Sequence, residues 1–380
     1  MLQLVIFFFV LVVGIVCDLF LWNTYMREWP VVWQMLHFVP SVVLALSLTY
    51  MGIWGMNSHV FRMIFIVLLC CLLPKLLFAG FVLLARWLVP MAPMLHLCGL
   101  LLALVVGVTC FYGLMWGWKH LVVRPQTLTF TDLPEAFDGF RIVQISDLHL
   151  EMFGGGHRFV QALVDSVNSR EPDLIVFTGD LVSRQSQEIV PYVDDLSRLR
   201  ARHGVISVLG NHDYGIYGPF RADTVAVGLD RKLNAKLQRQ MGWDILLNEH
   251  RFVEQGGDSI AVIGVENQGQ SGRIREADLP KAMQGVPDDM FKLLLTHDPW
   301  HWRHEVIRTT DIQLTLAGHT HASHFRVGRY SPSRMIFREW GGLYRVSGQQ
   351  LFVSAGIGGM LSFRLGAWPE VNVITLRRKR

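Results

Sequence analysis

The chain has 380 residues, 51% of them hydrophobic, with 35 Lys+Arg, 31 Asp+Glu and a formal net charge of +4. Of the charged residues, only Arg27, Arg62, Lys75, Arg86, Asp18 and Glu28 fall within residues 1–118. That excludes a uniformly water-soluble protein and divides the chain into a part suited to lipid and a part suited to water.

Four apolar stretches, 2–22, 31–55, 61–89 and 92–118, each reach or pass the ~20 residues that cross a hydrocarbon core. The first lacks a basic leading region and a small-residue cleavage site, because Trp22, Tyr25 and Trp29 stand there instead, so it reads as an anchor. Trp22, Trp29, Trp33, Trp54, Trp87, Trp116 and Trp118 lie near the span ends, as interfacial aromatics do. Four spans put the N-terminus and the second part on one side. Arg62, Lys119 and Arg124 on that side outnumber Arg27 and Arg86 on the other, which predicts an inner-membrane protein with its soluble part in the cytoplasm. Lys75, next to Pro74 in the third span, needs a partner in lipid, and Asp18 in the first span is the natural one, as a structural pair locking two helices. The cysteines Cys17, Cys70, Cys71, Cys98 and Cys110 all lie in these stretches, so the rest of the chain has no disulfide.

Residues 119–140 read as a linker and a leading strand, with Pro125 and Pro134 excluding a helix and Thr127–Phe130 alternating. From 141 onward strands and helices alternate. Arg141–Ser146 is a buried-strand pattern. A helix fits 157–169, with Phe159, Val160, Leu163, Val164 and Val167 at helical spacing. Asp173–Thr178 and Val205–Leu209 are strands, with a helix over 188–201 between them. A polar helix fits 230–241, followed by strands Ile245–Val253 and Ser259–Val265. Leu293–Leu295, Gln313–Leu316, Leu351–Ser354 and Val371–Leu376 complete the strands. The closing Arg377-Arg378-Lys379-Arg380 reads as a solvated tail within reach of anionic headgroups.

Five polar clusters each follow a strand: Asp147-Leu148-His149, Gly179-Asp180, Gly210-Asn211-His212-Asp213, Thr296-His297-Asp298 and Gly318-His319-Thr320-His321. Alone, Asp147-Leu148-His149 reads equally as a strand-end turn and Gly179-Asp180 as a helix cap. Asn, Gly and Asp favour turns in any case. Together, they collect at the carboxyl ends of strands, where ligands of open α/β sheets bind. They offer Asp, His and Asn donors enough for two metal ions, a standard device for splitting phosphate esters. Such mixed donors suit Mn²⁺, Fe or Zn²⁺. His157, His203, His250, His301, His304 and His324 lack this context, although His324 stands close enough to His321 for a substrate contact.

In that order the clusters resemble the calcineurin-like metallophosphoesterase family over about 140–376, and Ile142–Leu150, Gly210–Tyr214, Leu295–Trp302, Leu316–His321 and Trp368–Leu376 look like its bacterial membrane-anchored branch. The resemblance implies a four-layer α/β/β/α sandwich over 141–380, preceded by a four-helix transmembrane region over 1–118. It implies that one metal takes Asp147, His149 and His321, that a second takes Asn211, His297 and His319, and that Asp180 bridges them. His212 would protonate the leaving oxygen, with Asp213 behind its ring. Ser183 stands where many members have an acidic residue, which implies tuning rather than loss.

The expectation is a membrane-bound, two-metal hydrolase, Mn²⁺ first among its cations, that cleaves a phosphodiester or pyrophosphate bond. Its partners would be membrane lipids and a phosphate-ester substrate, with a lipid-linked one such as UDP-diacylglucosamine among the candidates and no nucleic acid. Trp340, Trp368, Phe363 and Leu361 could form an apolar rim for acyl chains or pack in the core. The alternative is a membrane sensor or scaffold whose phosphoesterase-like domain binds without catalysing.

Overall fold

The computed structural model describes residues 2–54, 57–270 and 274–379. The chain divides into two compact units, Met1–Gly117 and Trp118–Arg380.

The first unit is helical. Helix α1 (Leu2–Leu21) continues as a wide π turn to Met26, and α2 spans Val31–Trp54. Residue 55, the expected end of the second span, lies outside the described residues, as does Arg380 of the basic tail. The third apolar stretch is α3 (Ser58–Val67), a π turn over Leu68–Leu72, and α4 (Leu73–Trp87). Pro74 explains the widened turn, because a proline ring clashes with the carbonyl four residues back and supplies no N–H. Asn57 caps α3 by accepting from the His59 and Val60 amides. Helix α5 is Ala92–Met115. Among the described residues, four runs, Phe8–Met26, Val31–Trp54, His59–Trp87 and Val89–Lys119, are long and apolar enough to cross a membrane. The expected pair forms, with Lys75 Nζ 2.7 Å from Asp18 Oδ1. The same ammonium donates to the His37 carbonyl at 2.6 Å, and Ser41 Oγ donates to Asp18 Oδ2 at 2.6 Å, so the pair ties α1, α2 and α4 rather than two helices.

The second unit holds two six-stranded sheets. Strands β1 (Val122–Phe130), β2 (Arg141–Ile145), β3 (Leu174–Phe177), β4 (Val205–Ser207) and β5 (Asp244–Ile245) share the first sheet with the last strand, β12 (Glu370–Arg378), in the order β1-β12-β2-β3-β4-β5. Strands β6 (Glu249–Gln255), β7 (Asp258–Gly264), β8 (Lys292–Leu295), β9 (Leu314–Ala317), β10 (Gly342–Val346) and β11 (Gln349–Val353) form the second, in the order β10-β11-β9-β8-β7-β6. The central strands β2, β3 and β4 run parallel, as do β7, β8, β9 and β11, and their apolar runs are buried on both faces. Ile142, Leu174, Val176 and Ile206 of the first sheet meet Val262, Leu293, Leu295, Leu314 and Leu316 of the second. The alternate residues Val143, Ile145, Ile175 and Phe177 pack outward on Val160, Leu163, Val164 and Val167 of helix α6 (His157–Asn168). On the other side, Ala261, Ile263 and Leu294 pack on Trp302 and Val306. The result is the expected four-layer α/β/β/α sandwich.

Strand β10 (Gly342–Val346) adds to the expected strands, and three expected elements come out differently. The helix over 188–201 is a tight 3₁₀ run, Ser186–Tyr192, followed by the one-turn α7 (Val193–Leu196), because Pro191 interrupts the α-helical ladder. The strand over 245–253 is two strands in different sheets. Asn248, at φ 61°, breaks the run and passes the chain across, and asparagine is one of the few side chains that accept this left-handed backbone. Helix α8 (Thr224–Gln240) starts before the expected residue 230, because Asp223 caps it through the Val225 and Ala226 amides.

Candidate metal centre

Every cluster emerges at the carboxyl end of a parallel strand: Asp147–His149 after β2, Gly179-Asp180 after β3, Gly210–Asp213 after β4, His297 after β8 and Gly318–His321 after β9. The backbone is left-handed at Asp147 (φ 55°), His149 (47°), Asp180 (60°), His319 (74°) and His321 (50°). Non-glycine residues held this way cost on the order of 1–3 kcal/mol each and persist where surrounding contacts over-determine them. Those contacts run between the loops. The Asp147 amide donates to the Gly179 carbonyl at 2.9 Å, the His149 amide to the Asp180 carbonyl at 3.2 Å, and the His319 amide to Asp147 Oδ1 at 3.1 Å. Two glycines permit the close approach. A Cβ at Gly210 would collide with the Asp180 carboxylate, and one at Gly318 with the carboxylate of Asp147 and the hydroxyl of Ser146.

Two groups of donors result. One candidate atom each from Asp147, His149, Asp180 and His321 lie within 4.8 Å of one another, and Asp180, His297 and His319 form a second such group. Asp180 belongs to both. Its Oδ2 is 3.5 Å from His149 Nε2 and 3.1 Å from His297 Nε2. His297 Nδ1 lies 2.8 Å from the Thr178 carbonyl oxygen, which accepts a hydrogen bond from Nδ1–H and leaves Nε2 to face Asp180. His319 Nδ1 lies 3.2 Å from that same Nε2, while its own Nε2 faces Asp298 Oδ2 at 3.6 Å. His321 Nε2 lies 3.5 Å from Asp147 Oδ1.

Electrostatics prepare these groups for cations. Burial, then the neighbouring His212, holds the His149 imidazole well below its usual range, and burial with His149 does the same to His321. Burial also lowers His319, against the pull of Asp298. All three rings are therefore neutral at pH 7, the form that binds metal. Burial pushes Asp147 up to about 6. Burial alone would raise Asp180, but the charge of His297 reverses this and holds it well below the usual range. Burial alone would lower His297, but Asp180 more than offsets it and raises the ring to about 10.

Two divalent cations fit the donors. Asn211 Oδ1 and both ring nitrogens of His149 are buried without a hydrogen-bond partner among the described residues. Orphaned buried acceptors cost about 1–3 kcal/mol each, and cations on Asn211 Oδ1 and on the one unprotonated nitrogen of His149 would remove that cost. Asn211 is steered by its other amide atom, Nδ2, which donates to the Tyr217 hydroxyl at 3.2 Å.

His212 and Asp213 do not form the expected relay. His212 Nδ1 lies 2.6 Å from the Ser183 carbonyl oxygen, and its ring stacks on Tyr217 at 4.2 Å. The contact uses the backbone of residue 183, so serine serves there as well as an acid would. The Asp213 carboxylate is turned the other way. It accepts from the amides of Asp180, Leu181, Val182 and Gly210 at 2.8–3.2 Å and from Asn234 Nδ2 at 3.3 Å. Asp213 thus holds the Asp180 loop rather than the His212 ring. Burial and the charge of Asp180 raise its pKa to about 7, against the pull of these donors.

Sequence reasoning assigned no role to three residues here. Asp298, next to His297, faces His319. Tyr217, in a glycine- and tyrosine-rich loop, supports both Asn211 and His212. Arg364 is almost fully buried and brings Nη2 to 3.5 Å from His321 Nδ1, and no sequence signal marks it. A cavity of about 520 Å³ adjoins the centre, with Asn211, Tyr217, Gln270, Asp298, His319 and Phe337 in its wall. Of the four residues that could rim the site or pack in the core, Trp340 and Phe363 are buried, and Trp340 packs with Ala322, Ala355 and Ala367.

Residues 140–323 match the family model of the calcineurin-like phosphoesterases. The second unit belongs to the calcineurin-like phosphoesterase family. It is accordingly a hydrolase domain of a binuclear-metal-dependent family. The chain is similar to the uncharacterized metallophosphoesterase YkuE of Bacillus subtilis, at 28% identity over 273 residues, 68% of this chain and 86% of that one. It is also similar to a transmembrane protein with metallophosphoesterase domain from Danio rerio, at 29% identity over 73% of this chain. This chain spans 62% of that relative's length. A shorter match, 40% identical over 111 residues, covers 27% of this chain and 33% of the UDP-2,3-diacylglucosamine pyrophosphatase LpxG of Chlamydia muridarum. With its four apolar helices and a transmembrane relative, the chain is a membrane protein carrying a metallophosphoesterase domain.

Proposed function

We propose that the protein is a membrane-bound phosphoesterase that uses two divalent cations, Mn²⁺ first among them, to hydrolyse a phosphodiester or pyrophosphate bond at the cytoplasmic face of a bacterial inner membrane. The observation that carries this reading is Asp180, one carboxylate common to two donor groups. Asp147, His149 and His321 would hold one cation, Asn211, His297 and His319 the other, and Asp180 would bridge them. When bound, the pair of cations supplies charge stabilisation of the phosphoryl oxygens and an activated water.

The chain's own residues then orient and transfer protons. His212 is fixed through Nδ1–H to the Ser183 carbonyl, so that its imidazolium form would give the Nε2 proton to the departing oxygen and become the neutral ring. Tyr217 stacks on that ring and accepts from Asn211 Nδ2, so that Asn211 Oδ1 would be left to hold a cation. The 520 Å³ cavity would take the group attached to the phosphate. A lipid-linked pyrophosphate is the narrower substrate class, supported by the membrane helices and by the partial similarity to a relative named as a UDP-2,3-diacylglucosamine pyrophosphatase.

The test is hydrolysis of bis-p-nitrophenyl phosphate by the detergent-purified full chain with Mn²⁺. The expected result is turnover that chelation abolishes and that Asp180→Ala and Asn211→Ala reduce by about 10²-fold or more. A wild type with no metal-dependent turnover of this diester or of a pyrophosphate panel overturns the reading.

A further inference from the structure

Residues 326–338 read Arg-Val-Gly-Arg-Tyr-Ser-Pro-Ser-Arg-Met-Ile-Phe-Arg, with four arginines and no acid. The large apolar side chains among them are turned outward. Met335 is 90% exposed and Tyr330 71%, and Val327 and Ile336 are also largely exposed. Val327 and Tyr330 exchange both backbone hydrogen bonds, at 2.9 and 3.0 Å, which closes a tight turn and sends their side chains to the same face. Arg329, Arg334 and Arg338 are exposed beside them. Isolated surface apolar residues need no explanation, but four within ten residues of one tied segment form a patch.

The segment is not a loose loop. Ser331 Oγ donates to the Ala322 carbonyl at 2.6 Å, and Ser333 Oγ to the Thr320 carbonyl at 3.2 Å. Thr320 Oγ in turn donates to the Trp340 carbonyl at 2.6 Å. The lip is therefore hung from the peptides between and just after His319 and His321. At its other end the Phe337 ring meets the His319 ring edge-on at 5.4 Å, and Ile336 and Phe337 line the cavity of the metal centre.

Arginines interleaved with exposed apolar and aromatic side chains suit one surface above others. The guanidinium groups are attracted to an anionic leaflet, the apolar tips enter the acyl boundary, and tyrosine sits at headgroup depth. The chain's own spans provide a bilayer. We infer that residues 326–338 are a lip that docks on an anionic lipid surface and presents to the metal centre a phosphoester whose acyl portion remains in that surface. The docking stands on the lip alone, while the identity of the docked lipid as substrate rests on the proposed function.

The experiment uses the full chain with its five native cysteines replaced by alanine and an environment-sensitive fluorophore on Met335→Cys. In nanodiscs of phosphatidylcholine containing phosphatidylglycerol, the emission should shift to the blue and be quenched by nitroxide-labelled acyl chains, less so in phosphatidylcholine alone. Water-like emission in both overturns the docking. A shift that persists in lipid-free amphipol and grows with protein concentration puts a second copy on the lip and overturns it as well. The paired activity arm compares bis-p-nitrophenyl phosphate with vesicle-borne CDP-diacylglycerol. Tyr330→Glu/Met335→Glu should leave the soluble diester untouched and lower turnover of the lipid by about tenfold, through loss of two interfacial anchors. Equal loss on both substrates overturns the presentation role. A wild type that turns over neither substrate counts against the proposed function, and the fluorescence still decides the docking.

Discussion

His297 Nε2 stands 3.1 Å from Asp180 Oδ2, with the other ring nitrogen held on the Thr178 carbonyl at 2.8 Å. Without a cation, this pair keeps a proton between them at neutral pH, because Asp180 raises His297 to about 10 and His297 depresses Asp180. A cation bound by both must expel that proton. Metal affinity should therefore rise with pH up to about 10. Titration calorimetry in buffers of different ionisation heat should show release of about one proton as this side of the site fills. No dependence of the measured heat on buffer would sink the assignment.

The same pair sets the sign of the metal-free protein's pH dependence. His297 is raised, so its stabilisation is complete below the unfolded histidine pKa of about 6.5 and fades as pH climbs through about 10. Asp180 is depressed, so its share is present above the unfolded value of about 3.9 and is lost only as pH falls through its lowered one. Denaturant unfolding of the chelated protein should thus weaken toward pH 10, whereas the metal-loaded protein should not.

Asp213 provides a test of structural against catalytic work. Its carboxylate satisfies four backbone amides and Asn234. Asp213→Ala leaves several of those buried donors unpaired and should destabilise the second unit by roughly 3 kcal/mol or more, with loss of bound metal. Activity remaining in the folded fraction should keep the wild-type pH profile, because His212 is oriented by Ser183. A shifted profile at unchanged stability would return Asp213 to the His212 ring.

The contrast between those two residues marks how far the sequence can be read. The strand-end clusters were legible because two tightly buried sheets need continuous apolar runs, which make Asp147, Asp180 and His319 conspicuous where the runs stop. The direction of a carboxylate within a turn was not, since Asp213 beside His212 suggests a relay in sequence and becomes a loop clasp only when β3 and β4 lie side by side. Arg364 was illegible for a related reason. Its backbone partners Ala355 and Gly358 are near in the chain, but His321 is 43 residues away and comes beside it only after β9 and β11 have paired. The break at Asn248 was hidden because apolar residues stand on both sides of it, Ile245–Leu247 before and Phe252-Val253 after, with no proline or glycine between, and its left-handed backbone parts the two sheets.

Gly210 is the position at which a single methyl group should disable the site. A side chain there meets the Asp180 carboxylate and the Asp180 amide, which is already committed to Asp213. Gly210→Ala should push Asp180 out of both donor groups, lower bound metal per chain, and reduce turnover as far as Asp180→Ala does. Elemental analysis of the purified variant checks this, and full metal content with full activity would refute it.

In the first unit, Asp18 and Lys75 can be tested as a coupled pair with more partners than the sequence indicated. Neutralising Lys75 leaves the Asp18 carboxylate with the Ser41 hydroxyl and the His37 ring at 3.5 Å, and neutralising Asp18 leaves the Lys75 ammonium with the His37 carbonyl. Breaking a buried pair from one side costs about 3–5 kcal/mol in soluble proteins, and polar pairs among membrane helices couple less strongly. Asp18→Asn and Lys75→Met should each lower the yield of monodisperse protein in detergent, and the double variant should recover part of the loss. Exchanging the two charges should rescue less. A lysine at 18 could still be met by the Ser41 hydroxyl, but an aspartate at 75 would face the His37 carbonyl, acceptor against acceptor. A thermal-stability double-mutant cycle with no coupling between the sites would mean that the 2.7 Å contact contributes nothing to holding α1, α2 and α4 together.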